Sequence, residues 1–267
     1  MNMSIENKFK KAILKGEKQY GIWNGIAHSY AAEILAGAGF DWVLIDAEHA
    51  PFSMDQIIIQ LQAMSRYDVS PILRIPKADP EHMKTLMDAG VQSFIIPMVE
   101  DGETAALIAQ AVRYAPEGIR GVGTALSRAA QWNRVNDYFK LANDQMCVIA
   151  QVESVKGVEA LDEIVAVDGI DVVFLGPADL AGTMGHLGNP SHPQVKAVVN
   201  ETLQRIVNSG KMAGVLTSSK ELIEDYSAKG ATMIGVGVDT IILANATKEL
   251  AEYYKPSLKN NVSNTTY

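Results

Sequence analysis

Eight short apolar runs recur along the chain, and a stretch with helical spacing follows almost every one. The runs lie near residues 20–24, 42–46, 71–75, 92–97, 147–153, 172–176, 213–217 and 233–238. They are largely continuous rather than alternating, as strands covered on both sides are. The spacers at 28–37, 54–65, 103–114, 157–166, 192–208 and 219–229 read as helices; in the second, Ile57, Ile58, Leu61 and Met64 share one stripe. Asp79 reads as an N-cap with Pro80 in the first helical position, and Gly90 follows the helix end. Strand and helix alternating in this way predict an α/β fold, a (β/α)8 TIM barrel forming a single domain over residues 1–267. A doubly wound open sheet is the alternative.

Two stretches break the rhythm. Residues 115–146, rich in glycine and carrying Arg120, Arg128 and Arg134, suggest a long loop plus a helix after the fourth strand. Long loops on a catalytic face cover or shape pockets, and that is the expectation here. Residues 181–193 form a second insertion, and the tail over 257–267 is polar.

Composition excludes several classes of function. The net charge of −8, with no strongly basic patch, argues against a nucleic-acid partner. An anionic substrate would have to be held by local cations, because long-range attraction is lacking. No run approaches the roughly 20 apolar residues needed to span a bilayer, and the N-terminus lacks the apolar core of a secretory signal. The single cysteine, Cys147, rules out a disulfide within the chain and suits a reducing cytoplasm. Its apolar neighbours point to a buried small hydrophobe rather than a nucleophile.

The chemistry gathers where strands stop. LIDAEHAPF (44–52), LRIP (73–76), AQVES (150–154) and FLGPADL (174–180) each begin apolar and end in polar groups, offering Asp46, Glu48, His49, Arg74, Gln151, Glu153 and Asp179. Active sites of parallel barrels are assembled at that end. Glu153 and Asp179 close consecutive strands, so their carboxylates can converge on a hard divalent cation; the plain reading is two surface acids. In GPAD (176–179), Gly176 lets backbone approach a ligand and Pro177 pre-sets a turn into a helix. The same pattern also serves an ordinary strand–helix turn. His49, flanked by acids, is a candidate general base or a satisfied structural histidine. Arg74 inside a strand needs an anionic partner, either a protein carboxylate or a substrate oxyanion.

These motifs resemble the HpcH/HpaI family of class II pyruvate aldolases. The match runs from about Phe9 to Leu250 and rests on AGAGFDWVLIDAEHAPF, GIRGVG, ANDQMCV and GPADL, nearest to the members that cleave 4-hydroxy-2-oxoheptane-1,7-dioate. The resemblance implies retro-aldol cleavage to pyruvate and an aldehyde, succinic semialdehyde for that substrate. It implies a divalent metal (Mg²⁺, Mn²⁺ or Co²⁺) on Glu153 and Asp179. His49 would take the proton of the C4 hydroxyl with Asp46 orienting its ring, and Arg74 would steady the pyruvate enolate. Gln151, Gly176, Pro177, Ala178 and Trp23 would line the substrate. Ala47 stands where members often have glycine, and Phe52 falls in a variable stretch that bears on acceptor fit.

Other readings stay open. A Schiff-base lysine could replace the metal, with Lys77 or Lys156 as candidates just beyond strands. Related 4-hydroxy-2-oxo acids, including 2-dehydro-3-deoxyglucarate, could be the substrate. A non-catalytic barrel subunit is a different class. A phosphate-binding barrel would use GIRGVG (118–123) and IGVGVD (234–239). The last helix, near 241–254, is apolar on one side. The resemblance implies that neighbours exchange it in a homohexamer, a trimer of dimers; packing on the chain's own core is the simpler reading.

Overall fold

A computed structural model describes residues 5–256; the polar tail at 257–267 lies outside them. The elements run α1 (Lys8–Ile13), β1 (Gln19–Asn24), α2 (Ser29–Ala36), β2 (Trp42–Asp46), α3 (Met54–Met64), β3 (Ser70–Arg74), α4 (Pro80–Ala89), β4 (Ser93–Ile96) and α5 (Gly102–Ala111). They continue with α6 (Tyr138–Leu141), β5 (Cys147–Val152), α7 (Val155–Glu159), α8 (Leu161–Ala166), β6 (Val172–Leu175), α9 (Pro177–Thr183), α10 (Pro193–Asn208), β7 (Met212–Leu216), α11 (Lys220–Ala228), β8 (Ala231–Val238) and α12 (Asp239–Tyr254). The eight strands are parallel and close in sequence order, β1 against β8. This is the expected TIM barrel, with every strand within two residues of its predicted bounds.

Local chemistry sets the element ends. Asp79 accepts from the Glu81 and His82 N–H groups, Pro80 opens α4, and Gly90 ends it at φ 112°. Ser53 and Gln56 form a reciprocal capping box on α3. His28 and His192 are N-caps rather than site residues. The single helix expected over 157–166 is instead two, because Ala160 leaves the helical conformation between α7 and α8.

One apolar layer lies between strands and helices, and a second fills the barrel. The inner layer includes Trp23, Trp42, Leu44, Ile72, Ile149 and Phe174. Gly21 makes room for Trp42: a Cβ there would lie 1.9 Å from the indole ring. Below, α1 pushes Phe9 and Ile13, both fully buried, into the same layer and plugs the strand-start end. Cys147 is also buried here, and burial pushes its thiol well above the usual range, as expected of a packing residue.

The insertion after α5 corrects one expectation. It connects a helix to the start of β5, so it sits under the barrel and not over the strand ends. The Ala129 N–H donates to the Asp88 carbonyl (3.1 Å) and Arg128 to the Ala89 carbonyl (3.0 Å), both at the end of α4. It lines a cavity of about 570 Å³ with Asn7, Gln92 and Ser93 at that lower end. GIRGVG is part of this insertion, so it cannot join the β8 glycines in one phosphate site.

Helix α12 is also not core. Apart from Asp239, its side chains are largely exposed, including Ile242, Leu243 and Leu250. Among the described residues, no helix is long and apolar enough to cross a membrane.

Candidate active site

Strand register makes the centre of the site. β2 and β3 pair so that Asp46 stands opposite Arg74. The Arg74 Nε donates to Asp46 Oδ1 (2.9 Å) and its Nη2 to Oδ2 (2.6 Å), a two-pronged bond between buried groups. Arg74 Nη1 lies 3.1 Å from Glu48 Oε2. Its guanidinium carbon stands 5.8 Å from the Trp23 ring centroid, so Trp23 floors the site beneath the charge. Burial opposes the Arg74 charge, but the Asp46 bonds and the Asp46, Glu48 and Glu153 charges outweigh it and raise its pKa. The anionic partner that the sequence demanded is thus a pair of protein carboxylates.

Asp46 serves differently from the expected ring orienter. Besides binding Arg74, its Oδ1 accepts from the Glu48 and His49 backbone N–H groups, at 3.2 and 3.4 Å. It holds the turn that carries His49 and forms neither a hydrogen bond nor an ion pair with the imidazole. The nearest carboxylate oxygen to that ring is Glu48 Oε2, 3.8 Å from Nε2. Sequence reasoning named Glu48 without giving it a role. The His49 side chain is 68% exposed, facing the open rim. Burial lifts the Glu48 carboxyl above the ordinary carboxylate range, against the pull of Arg74 and His49.

The second half of the site comes from β5 and β6. Glu153, just past β5, is buried and accepts from the Met98 N–H (2.9 Å) and from Gln151 Nε2. Met98 holds φ 52°, an uncommon value for a residue with a side chain. Nothing in the sequence signals that strain; it follows from the tertiary anchor on Glu153. Burial raises the Glu153 pKa from 4.5 to about 7; the Met98 bond opposes this, and the Asp179 and Glu48 charges add to it. Gly176 has no room for a side chain, since a Cβ would lie 2.6 Å from Glu153 Oε2. Gly176 caps α9, Pro177 occupies its first turn, and Asp179 sits exposed in that turn with Ala178.

The residues fit a hard divalent cation. A buried carboxylate with a raised pKa beside a second acid is a site short of positive charge. Gln151 Oε1 is buried nearby with no hydrogen-bond partner among the described residues. No cluster of three ligating side chains is present among those residues. Other coordination positions would fall to water and substrate oxygens, as Mg²⁺ prefers. The lysines point elsewhere. Lys77 pairs with Asp79 (3.6 Å) and Lys156 with Glu100 (3.4 Å), both exposed. Neither candidate for a Schiff base is therefore directed into the site.

An acid pair facing a buried guanidinium and an open imidazole suits the making and breaking of a bond beside a carbonyl. The fold and this chemistry define a carbon–carbon lyase of the aldolase type. The chain belongs to the HpcH/HpaI aldolase/citrate lyase family, whose model matches residues 19–246. It is 51% identical to a hydroxypyruvate/pyruvate aldolase of Deinococcus radiodurans over 94% of this chain and 91% of that one. It is 46% identical to a 4-hydroxy-2-oxo-heptane-1,7-dioate aldolase of Klebsiella pneumoniae over 98% and 97%. A solved HpcH/HpaI aldolase/citrate lyase family protein from Burkholderia cenocepacia superposes with a TM-score of 0.88 at 34% identity, covering 93% of this chain and 99% of that one.

Proposed function

We propose that the protein is a class II aldolase that reversibly cleaves 4-hydroxy-2-oxo acids to pyruvate and an aldehyde. The leading substrate is 4-hydroxy-2-oxoheptane-1,7-dioate, giving succinic semialdehyde. What supports this reading is that Glu153, just past β5, and Asp179, in the first turn after β6, lie near enough for the Asp179 charge to act on Glu153, on the same barrel rim as the buried Asp46–Arg74 pair. Glu153 and Asp179 would hold Mg²⁺, Mn²⁺ or Co²⁺, which when bound would supply positive charge to offset the negative charge developing on the pyruvate half. Arg74, fixed by Asp46, steadies the negative charge that develops on the pyruvate half. His49 takes the hydroxyl proton as the C3–C4 bond parts. Gln151, Trp23 and the turn Gly176–Pro177–Ala178 shape the pyruvate side.

The likeness to the Deinococcus radiodurans enzyme favours a second donor, hydroxypyruvate in place of pyruvate. The partners are small molecules, with neither nucleic acid nor membrane. The chain works as one barrel domain, in the cytoplasm, within a homohexamer. The exposed apolar side of α12 supports its exchange between neighbours.

The test is retro-aldol turnover of 4-hydroxy-2-oxoheptane-1,7-dioate with coupled pyruvate detection. EDTA should abolish turnover, and Mn²⁺, Mg²⁺ or Co²⁺ should restore it. His49→Ala should lose cleavage far more than pyruvate binding. Borohydride trapping of pyruvate on a lysine would overturn the scheme. Aldol synthesis with tartronate semialdehyde or lactaldehyde, against succinic semialdehyde, would rank the acceptors.

A further inference from the structure

We propose that Glu48 is the residue that positions His49, holding the imidazole through Nε2. The inference rests on the aldolase reading above and adds a role that the two carboxylates of DAEH divide between them. Asp46 is already committed: both its oxygens bind Arg74, and Oδ1 also takes two backbone N–H groups. Glu48 is not. Its Oε2 is buried and lies within ion-pair reach of Arg74 Nη1, yet no donor among the described residues is aligned with it as a hydrogen bond. A buried acceptor in that state favours any donor that can align with it.

One donor stands close enough to relieve it. His49 Nε2 lies 3.8 Å from the same oxygen, on a ring open to solvent. A swing of about 1 Å brings that pair to hydrogen-bond length. Catalytic bonds of this kind are often long until substrate binds. The acid pair assigned to the cation is Glu153 and Asp179, which leaves Glu48 for this task.

The result is a continuous chain, Asp46–Arg74–Glu48–His49. With Nε2–H directed at Glu48, Nδ1 is the free acceptor. The C4 hydroxyl gives its proton to Nδ1, and the oxygen's electron pair forms the aldehyde carbonyl. The C3–C4 pair moves into the enolate of pyruvate, its charge resting on the C2 oxygen. The imidazolium then sits against the Glu48 carboxylate and later returns a proton to C3.

The test compares two reactions that share the enolate. Oxaloacetate decarboxylation forms it without removing a hydroxyl proton; retro-aldol cleavage needs that removal. Glu48→Gln should lower kcat for cleavage roughly 10- to 100-fold, the scale of a general base deprived of its partner. The decarboxylation rate should fall far less than the cleavage rate, because Asp46 still holds Arg74 through both its oxygens. Mn²⁺ affinity, read by electron paramagnetic resonance, should stay the same. Glu48→Asp should recover part of the loss. In a His49→Ala background, Glu48→Gln should cost nothing more, because the two act as a unit. Equal loss in both reactions would make Glu48 a scaffold for Arg74 and overturn the inference. Weakened Mn²⁺ binding, or losses that simply add, would also overturn it. Wild-type protein inert in both reactions would instead sink the aldolase reading, and this inference with it.

Discussion

Replacing Glu153 by glutamine should make the metal-free protein more stable at alkaline pH while destroying its activity. The carboxyl is buried, and burial raises its pKa from 4.5 to about 7. The fold therefore favours the neutral form. Below about pH 4.5 the group is neutral in folded and unfolded chains alike and exacts no penalty. As pH rises toward 7 the unfolded chain loses the proton first, and folding becomes less favourable. Above about 7 the penalty is complete. The span from 4.5 to about 7, at about 1.4 kcal/mol per pH unit, comes to roughly 3 kcal/mol. For a chain of this size that corresponds to about 6–12 °C in Tm. Glutamine keeps the shape and removes the charge. In EDTA, thermal unfolding followed by circular dichroism should show the variant close to wild type at pH 4.5. At pH 8.5 it should melt several degrees higher. Adding Mn²⁺ should stabilise wild type and leave Glu153→Gln unmoved, because ligand binding to the folded state alone raises stability. Equal Tm differences at both pH values would refute the assignment of a strained charge to Glu153.

The remaining expectations concern packing and assembly. Gly176→Ala puts a Cβ 2.6 Å from Glu153 Oε2 and 2.7 Å from its Cβ; Mn²⁺ affinity and turnover should each fall at least tenfold, read by titration and coupled assay, with the barrel still folded by circular dichroism. Leu243→Glu with Leu250→Glu should convert the proposed hexamer to smaller species in light scattering. An unchanged mass would show that α12 is not exchanged.

The barrel was legible because its strands are continuous apolar runs and its helices carry caps. Asp79–Pro80 and Gly90 are local signals, and they landed where α4 begins and ends. The strand-end residues were legible for the same reason: Asp46, Arg74, Gln151 and Glu153 interrupt apolar runs that otherwise have no use for them. What escaped was direction and pairing. The insertion at 115–146 reads as a long loop from sequence, but its side of the barrel depends on whether it leaves a strand or a helix. Helix α5 settles that: the chain has already crossed to the lower end when the insertion begins. Pairing escaped because Asp46 and Glu48 are two residues apart and chemically alike. Register across β2 and β3 decides which of them meets the guanidinium head-on. The Met98 strain and the exposed α12 likewise depend on contacts that local spacing does not record.

The plug formed by Phe9 and Ile13 has a kinetic consequence. With that floor sealed, the site opens at the upper rim, where the His49 side chain is 68% exposed. Both fragments of a cleaved substrate would use that opening in turn. On the proposed cleavage, an aldehyde formed on the rim side of the pyruvate half should depart first and pyruvate last, an order that product-inhibition kinetics would read. In the synthetic direction the same geometry should require pyruvate to be seated before an aldehyde enters.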